Sequence, residues 1–220
     1  MSKIVECVPN FSEGRDKSII DSIAAAISSV DGIKLLNVDM GYDTNRTVVT
    51  FAGDAEVIVE AGFRGIKKAS ELIDMSKQTG EHPRMGATDV FPFIPLSGIT
   101  LTECLTLAEE LGRRAGHELN IPVFMYAKSA KTKDRVRLPD IRTGEYEALE
   151  EKLKSGEFIP DYGPAVFNPT AGVTAVGVRD FLLAYNINLS TRDRKIASDI
   201  ALTVREVGRA KRDRKGVIIR

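Results

Sequence analysis

The 220-residue chain has no tryptophan, two histidines and two cysteines, and only 6% of its residues are aromatic. Each scarcity excludes a class of function. So few aromatics leave no material for a base-stacking platform, so single-stranded nucleic acid is not an expected ligand. Two cysteines, Cys7 and Cys104, are too few for a disulfide framework. Cys7 lies in an apolar, strand-like run and Cys104 on the apolar side of an expected helix, so both read as core thiols in a reducing compartment. With two histidines and distant cysteines, no metal-ligand spacing exists, and no metal is expected. No run of about 18 apolar residues occurs, which argues against a membrane span. The opening MSKIVECVPN lacks the apolar core of a signal peptide, so a cytoplasmic location is expected. Basic and acidic residues balance at 31 each, which disfavours a whole-surface role on nucleic acid or membrane. The basic C-terminal stretch REVGRAKRDRKGVIIR has no aromatic residue and reads as a solvated helix end. No G-x-G-x-x-G, Walker A or G-x-S-x-G motif appears, which disfavours a nucleotide-binding Rossmann unit and a serine hydrolase.

What is present is an ordinary globular mixture, 43% hydrophobic and 28% charged. KIVECVP, closed by Pro9, reads as a strand. Ile19, Ile20, Ile23, Ala26, Ile27 and Val30 recur at helical spacing. IKLLNVDMG and RTVVTFAG read as two strands joined by the loop YDTN. Asp54 is placed to cap a second helix, with Ile58, Ala61, Ile66, Ala69 and Ile73 on one face. Residues 74–89 lack periodicity and read as a loop, followed by a short strand near Val90–Ile94 broken by Pro92. Thr100 and Glu103 fit a capping box, and the helix behind them is expected to bury Leu101, Cys104, Ala108, Leu111 and Ala115. IPVFMYA reads as a strand, EYEALEEKLKS as a short charged helix and PDYGPAVFNPTAG as a stiff loop. VTAVGVRDFLLAYNINL reads as a strand pair turning near Arg179–Asp180, and a last helix after Ser190 carries Ile196, Ile200 and Val204 on one stripe. The order implies an α/β (α+β) fold, a mixed sheet with helices packed outside.

One stretch concentrates chemistry. TGEHPRMGATDVFPFIP, from Thr79 to Pro95, holds His82 between Glu81 and Pro83-Arg84, with Gly86 close behind. A histidine titrates nearest neutral pH and can serve as base and acid. Pro83 restricts the backbone of His82, and Gly86 permits a tight turn or a close approach to a ligand. From pattern alone, His82 is either a proton-transfer group or a loop histidine satisfied by local hydrogen bonds. His117, off the apolar stripe of its helix, reads as solvated. DMGYDTNRT sets Asp39 at the end of one strand and Arg46 at the start of the next. Asp39 is suited to orient an imidazole or balance a cationic substrate, and Asn45 with Arg46 to bind a carboxylate; a turn residue and a surface ion pair are the alternative.

The segments VECVPNFSEGR, DTNRTVVTF, LIDMSKQTGEHPRMGATDVFPFIP, GEYEAL, PDYGP and FLLAYNINL resemble, in order, the formiminotransferase domain of glutamate formimidoyltransferases. The resemblance runs from the first residues to about Gly208. It implies two α/β subdomains in a homodimer, and a ferredoxin-like arrangement with helices outside the sheet. It implies transfer of a formimino group from N-formimino-L-glutamate to N5 of tetrahydrofolate, a step of histidine breakdown. The implied catalytic residue is His82, with Asp39 and Arg46 supporting it and Arg46 and Arg84 as carboxylate clamps. The implied folate loop runs through Gly163, Pro164, Ala165, Val166, Phe167, Asn168, Pro169, Thr170, Ala171 and Gly172. Animal members of the family carry a tryptophan in this loop, where this sequence reads NPTAG. Two rival expectations share the same residues: formyl transfer from N-formylglutamate, and a folate-binding subunit without activity of its own. The organisation expected is a complete N-terminal subdomain over residues 1–177 and the start of a second over 178–220. Completion would come from the chain's own dimer or from a second polypeptide.

Overall fold

The computed structural model describes residues 2–182, 187, 189–204, 211–212 and 218–219. They fall into two compact units, Met1–Phe181 and Leu182–Arg220.

The first unit begins with β1 (Ile4–Cys7) and β2 (Asn10–Phe11), two pieces of one strand line interrupted at Val8–Pro9. There follow α1 (Lys17–Ser28), β3 (Ile33–Gly41), β4 (Arg46–Asp54), α2 (Ala55–Leu72) and β5 (Thr88–Ser97). β1 and β2 pair antiparallel with both β4 and β5, and β3 pairs with the outer edge of β4. This is a β-α-β-β-α-β unit with the first strand line central, the ferredoxin-like arrangement. α3 (Leu101–Glu118) then leads to β6 (Val123–Ala127), and after α4 (Leu138–Ile141) and α5 (Leu149–Lys154) the chain enters β7 (Thr174–Val178). β7 inserts parallel between β5 and β6, which makes a mixed sheet of seven strands.

Local chemistry accounts for the helices. The Asp16 carboxylate accepts from Ser18 N–H and that of Asp54 from Glu56 N–H, each satisfying a donor that the first turn leaves open. The capping box at Thr100 and Glu103 is formed in both directions. The inward stripes of α1, α2 and α3 (Ile20, Ile23, Ile27, Ile58, Ile66, Leu111) meet Val5, Phe11, Phe51 and Phe91 from one face of the sheet in the main core. Leu101, expected in that core, is 43% exposed: it is the first residue of α3, and burial along the helix begins at Cys104. The opposite sheet face is covered near β6 and β7 by α4, α5 and the loops beside them. There Met85, Val90, Phe124, Tyr126, Ile141, Leu149 and Ala175 form a second core. Towards β3 this face is exposed, and it carries the candidate site.

β5 corrects one expectation. Pro92 does not break it; the strand runs ten residues. The reason is where Pro92 falls. In register it stands opposite Val8, in the gap between β1 and β2, and there it needs only its carbonyl, which accepts from Val8 N–H at 3.2 Å.

In the second unit α6 (Arg194–Val204) exposes Ile196 and Ile200, so the expected stripe exists but is not buried. β8 (Lys211–Arg212) and β9 (Ile218–Ile219) pair antiparallel. Of the expected strand pair, the first half is β7; residues 183–186 and 188 of the second half lie outside the described residues.

Candidate active site

The loop that follows α2 is stitched to the β3–β4 turn. Asn45 ends that turn in the left-handed region, with φ 45°. Its side-chain carbonyl accepts from Gly14 N–H at 2.9 Å, its amide donates to Thr79 O at 2.9 Å, and its own carbonyl accepts from Gln78 Nε2. Glu81 N–H donates to Asp43 O at 3.2 Å. Asn45 therefore works as a brace that fixes the loop bearing His82, and its polar atoms are spent on backbone groups.

His82 is half-buried on this braced loop. Its Nδ1 lies 2.7 Å from the Pro83 carbonyl. An acceptor at that distance requires the proton on Nδ1, which leaves the Nε2 lone pair free. Burial holds the imidazole pKa below its usual 6.5, and the positive charge of Arg46 adds to the effect, against the opposing pull of the Pro83 carbonyl. Near neutral pH the ring is thus the uncharged base.

Beside it lies a buried ionic cluster. Arg46, 8% exposed, donates from Nε to Asn10 Oδ1 at 2.9 Å and from Nη1 to Asp89 Oδ2 at 2.5 Å. Arg142 Nη2 donates to the same Asp89 oxygen. The other oxygen of Asp89 accepts from Met85 N–H at 2.9 Å. Asp89 is wholly buried, so its charge is tolerable only with such partners. Burial likewise lowers the Arg46 pKa and pushes the Tyr126 hydroxyl up to about 12, the latter against the nearby guanidiniums of Arg179 and Arg142.

The expected residues are thus distributed unevenly. His82 and Arg46 come together. Asp39 sits on the exposed face of β3 opposite Val48, and its side chain forms no hydrogen bond or ion pair among the described residues. The carboxylate against Arg46 is Asp89. Arg84, expected as a clamp, is buried and already held by Gln78, Glu145 and Glu147, with Glu147 at 2.6 Å. It ties the His82 loop to the turn before α5. Asp89, Arg142 and Tyr126 were missed. An aspartate leading into the apolar run VFPFIP was a usable signal, since a strand there buries it and demands a cation. Nothing in sequence linked Arg142 to it, 53 residues away.

Residues Gly163–Gly172 form a loop packed on this same assembly. Ala87 N–H donates to Ala171 O at 2.9 Å, Val173 N–H to Met85 O at 3.1 Å and Met75 N–H to Thr170 O at 2.9 Å. Gly86 and Gly172 face each other across an isolated bridge; a Cβ on Gly172 would stand 2.1 Å from Met85 O, and its φ is +65°. Only glycine fits so close a backbone crossing. Asn168 Oδ1 accepts from the N–H groups of Thr170 and Ala171 and shapes the turn. Phe167 packs beside the Tyr146 ring, whose hydroxyl donates to Pro169 O at 2.6 Å. Val166 is 65% exposed. With Phe167, Pro169 and Leu153 it lines a shallow, mostly apolar cavity rimmed by Glu150 and Lys154. A larger hollow lies on the helical side of the sheet between α2 and α3, where Asp54, Glu60, Glu103 and Glu110 face Lys3 and Arg114. It holds no histidine and lies away from the cluster just described. Among the described residues no group of three His, Cys, Asp or Glu side chains converges as a metal site. No described helix is long and apolar enough to cross a membrane.

Comparison with known proteins bears on the same residues. The profile of the formiminotransferase domain, N-terminal subdomain, matches residues 4–179. The formimidoyltransferase-cyclodeaminase of Mus musculus is 54% identical over 212 residues, which is 96% of this chain and 39% of that protein. The glutamate formimidoyltransferase of Streptococcus pyogenes serotype M1 is 47% identical over 94% of this chain and 70% of its own length. That of Thermoplasma acidophilum is 48% identical over 92% and 67% respectively. The chain thus spans about two fifths of the length of the cyclodeaminase relatives.

Proposed function

The chain belongs to the formiminotransferase domain family, as its N-terminal subdomain, and on that premise we propose that it serves transfer of a formimino group from N-formimino-L-glutamate to N5 of tetrahydrofolate. The observation that carries this reading is the state of His82: a braced, half-buried imidazole with Nδ1 held by Pro83 O and a free Nε2 of lowered pKa. The reaction needs one group that accepts the proton released from the attacking nitrogen and returns it to the departing glutamate amine. A neutral imidazole performs both steps near pH 7. The names of the relatives suggest the substrates, and the residues are suited to them. The shallow cavity at Val166, Phe167 and Pro169 offers apolar surface for a flat ring, and the loop glycines and prolines limit the entropy lost on ordering it. The surplus of guanidinium groups beside His82 suits an acidic donor. Arg46 raises the cost of a charged His82, which keeps the ring ready to accept a proton.

His82→Ala is expected to lower turnover by about 100-fold or more while leaving tetrahydrofolate binding near that of the parent. Assays with formiminoglutamate and with formylglutamate as donors identify the group transferred. Unchanged turnover in a folded His82→Ala protein would sink the assignment. A second variant, Phe167→Ala, tests the loop by tetrahydrofolate titration: weaker binding is expected, and equal affinity would remove Phe167 as its apolar anchor.

A further inference from the structure

The ionic cluster beside His82 does not balance. Two guanidiniums, Arg46 and Arg142, converge on a single oxygen of one carboxylate, Asp89 Oδ2. The other oxygen of Asp89 is taken by a backbone N–H, so no second negative charge is supplied from within. Arg179 adds a further positive group near Tyr126. Of the two paired arginines, Arg46 spends Nε and Nη1, and Arg142 spends Nη2. Arg142 Nε is buried without any hydrogen-bond partner. Arg46 Nη2 and Arg142 Nη1 also lack partners among the described residues. A buried donor left unmatched on a cation is costly, and two neighbouring guanidiniums with donors to spare suit a planar anion.

We propose that Arg46 and Arg142, yoked by Asp89, form a two-arginine site that takes a carboxylate of an acidic amino-acid substrate beside His82, with Asp89 as the positioning residue. The identity of the substrate rests on the function proposed above; the anion site rests on the geometry alone. Asp89 does two things here. It holds the guanidiniums close together against their mutual repulsion, and it leaves one net positive charge for a ligand to neutralise. A bound carboxylate also offsets the charge that disfavours protonation of His82, so binding and proton uptake reinforce each other.

The test uses glutarate, a dicarboxylate with no amine or amidine to transfer, titrated into the purified 220-residue protein. The His82 imidazole is followed by NMR and affinity by calorimetry. Saturable binding is expected, with a rise in the His82 pKa as the site fills. Arg142→Gln is expected to weaken glutarate by about 10- to 100-fold, while the exposed Arg113→Gln on α3 leaves it unchanged. If Arg142→Gln fails to fold, Arg142→Lys takes its place: it keeps the charge and loses the fork, and a loss of about 10-fold or more is expected. Failure of the parent to bind glutarate, or equal binding by the folded Arg142 variant, overturns the proposal. Transfer activity is assayed separately. A chain that binds glutarate through Arg142 but transfers nothing refutes the functional reading and upholds the site. An active chain whose Arg142 variant keeps its KM for the donor refutes the site and upholds the function.

Discussion

At the scale of single residues, the charge on His82 is the quantity on which the proposed proton transfer turns. Its pKa lies below 6.5, through burial first and Arg46 second, with Asp89 pulling weakly the other way. With His82 as the base of the proposed transfer, the acid limb of kcat/KM is expected below pH 6.5, where the imidazole becomes protonated. Arg46→Gln removes a positive neighbour and is expected to move that limb upward, towards 6.5. Asp89→Asn removes the negative one and is expected to move it downward. A pH–rate profile with NMR titration of the ring reads both shifts, and an unmoved His82 in both variants would show that the cluster does not act on it. The sign for stability obeys the same logic. The unfolded chain takes up the His82 proton more readily than the folded one, so this group costs stability as pH falls through its unfolded value. His82 and Arg46 were legible in the sequence because a loop histidine before proline and an arginine at a strand start stand out locally. Asp89 and Arg142 were not, because their roles arise from burial and from a pairing between distant segments.

At the scale of elements, the site depends on two loops crossing with almost no space between them. At Gly172 a side chain meets both obstacles: a positive φ and the Met85 carbonyl 2.1 Å from the Cβ position. At Gly156 the φ is also positive, +76°, but nothing lies within 4 Å. Gly156→Ala is expected to cost about 1 kcal/mol, the conformational penalty alone. Gly172→Ala is expected to cost more, about 2–4 kcal/mol, and to lower transfer activity by displacing the His82 loop. Urea unfolding of the two variants decides it: equal losses would mean that the crossing adjusts freely. The pattern of strands and helices was readable because caps at Asp54 and Thr100 and the 3.6-residue stripes are local signals. The length of β5 was not, because a proline's meaning in a strand depends on what stands opposite it. Leu101 was misjudged for a related reason: periodicity gives a face, but not where along the helix burial begins.

At the scale of the whole chain, the family profile and the first compact unit close within two residues of each other. The profile ends at residue 179 and the unit at Phe181. β7 ends where the apolar run Thr174–Val178 passes at once into Arg179-Asp180, since a buried strand does not continue through two charged residues. The two units differ in energetic character. All the buried apolar side chains found among the described residues lie between Val5 and Val178, whereas α6 buries none. A unit that holds its own core and its own sheet is a folding unit in its own right. A chain ending at Phe181 is therefore expected to unfold cooperatively, with a Tm within about 3 °C of the 220-residue protein, a shift corresponding to about 1 kcal/mol or less at this size. It is also expected to keep the braced His82, because the described hydrogen bonds of the imidazole, its loop and its ionic neighbours are made within residues 1–181. The His82 NMR titration should then superimpose on that of the longer chain. A Tm lowered by more than about 10 °C would place a substantial part of the stability in residues 182–220. An altered His82 titration at unchanged Tm would show instead that the second unit reaches the site without supporting the fold.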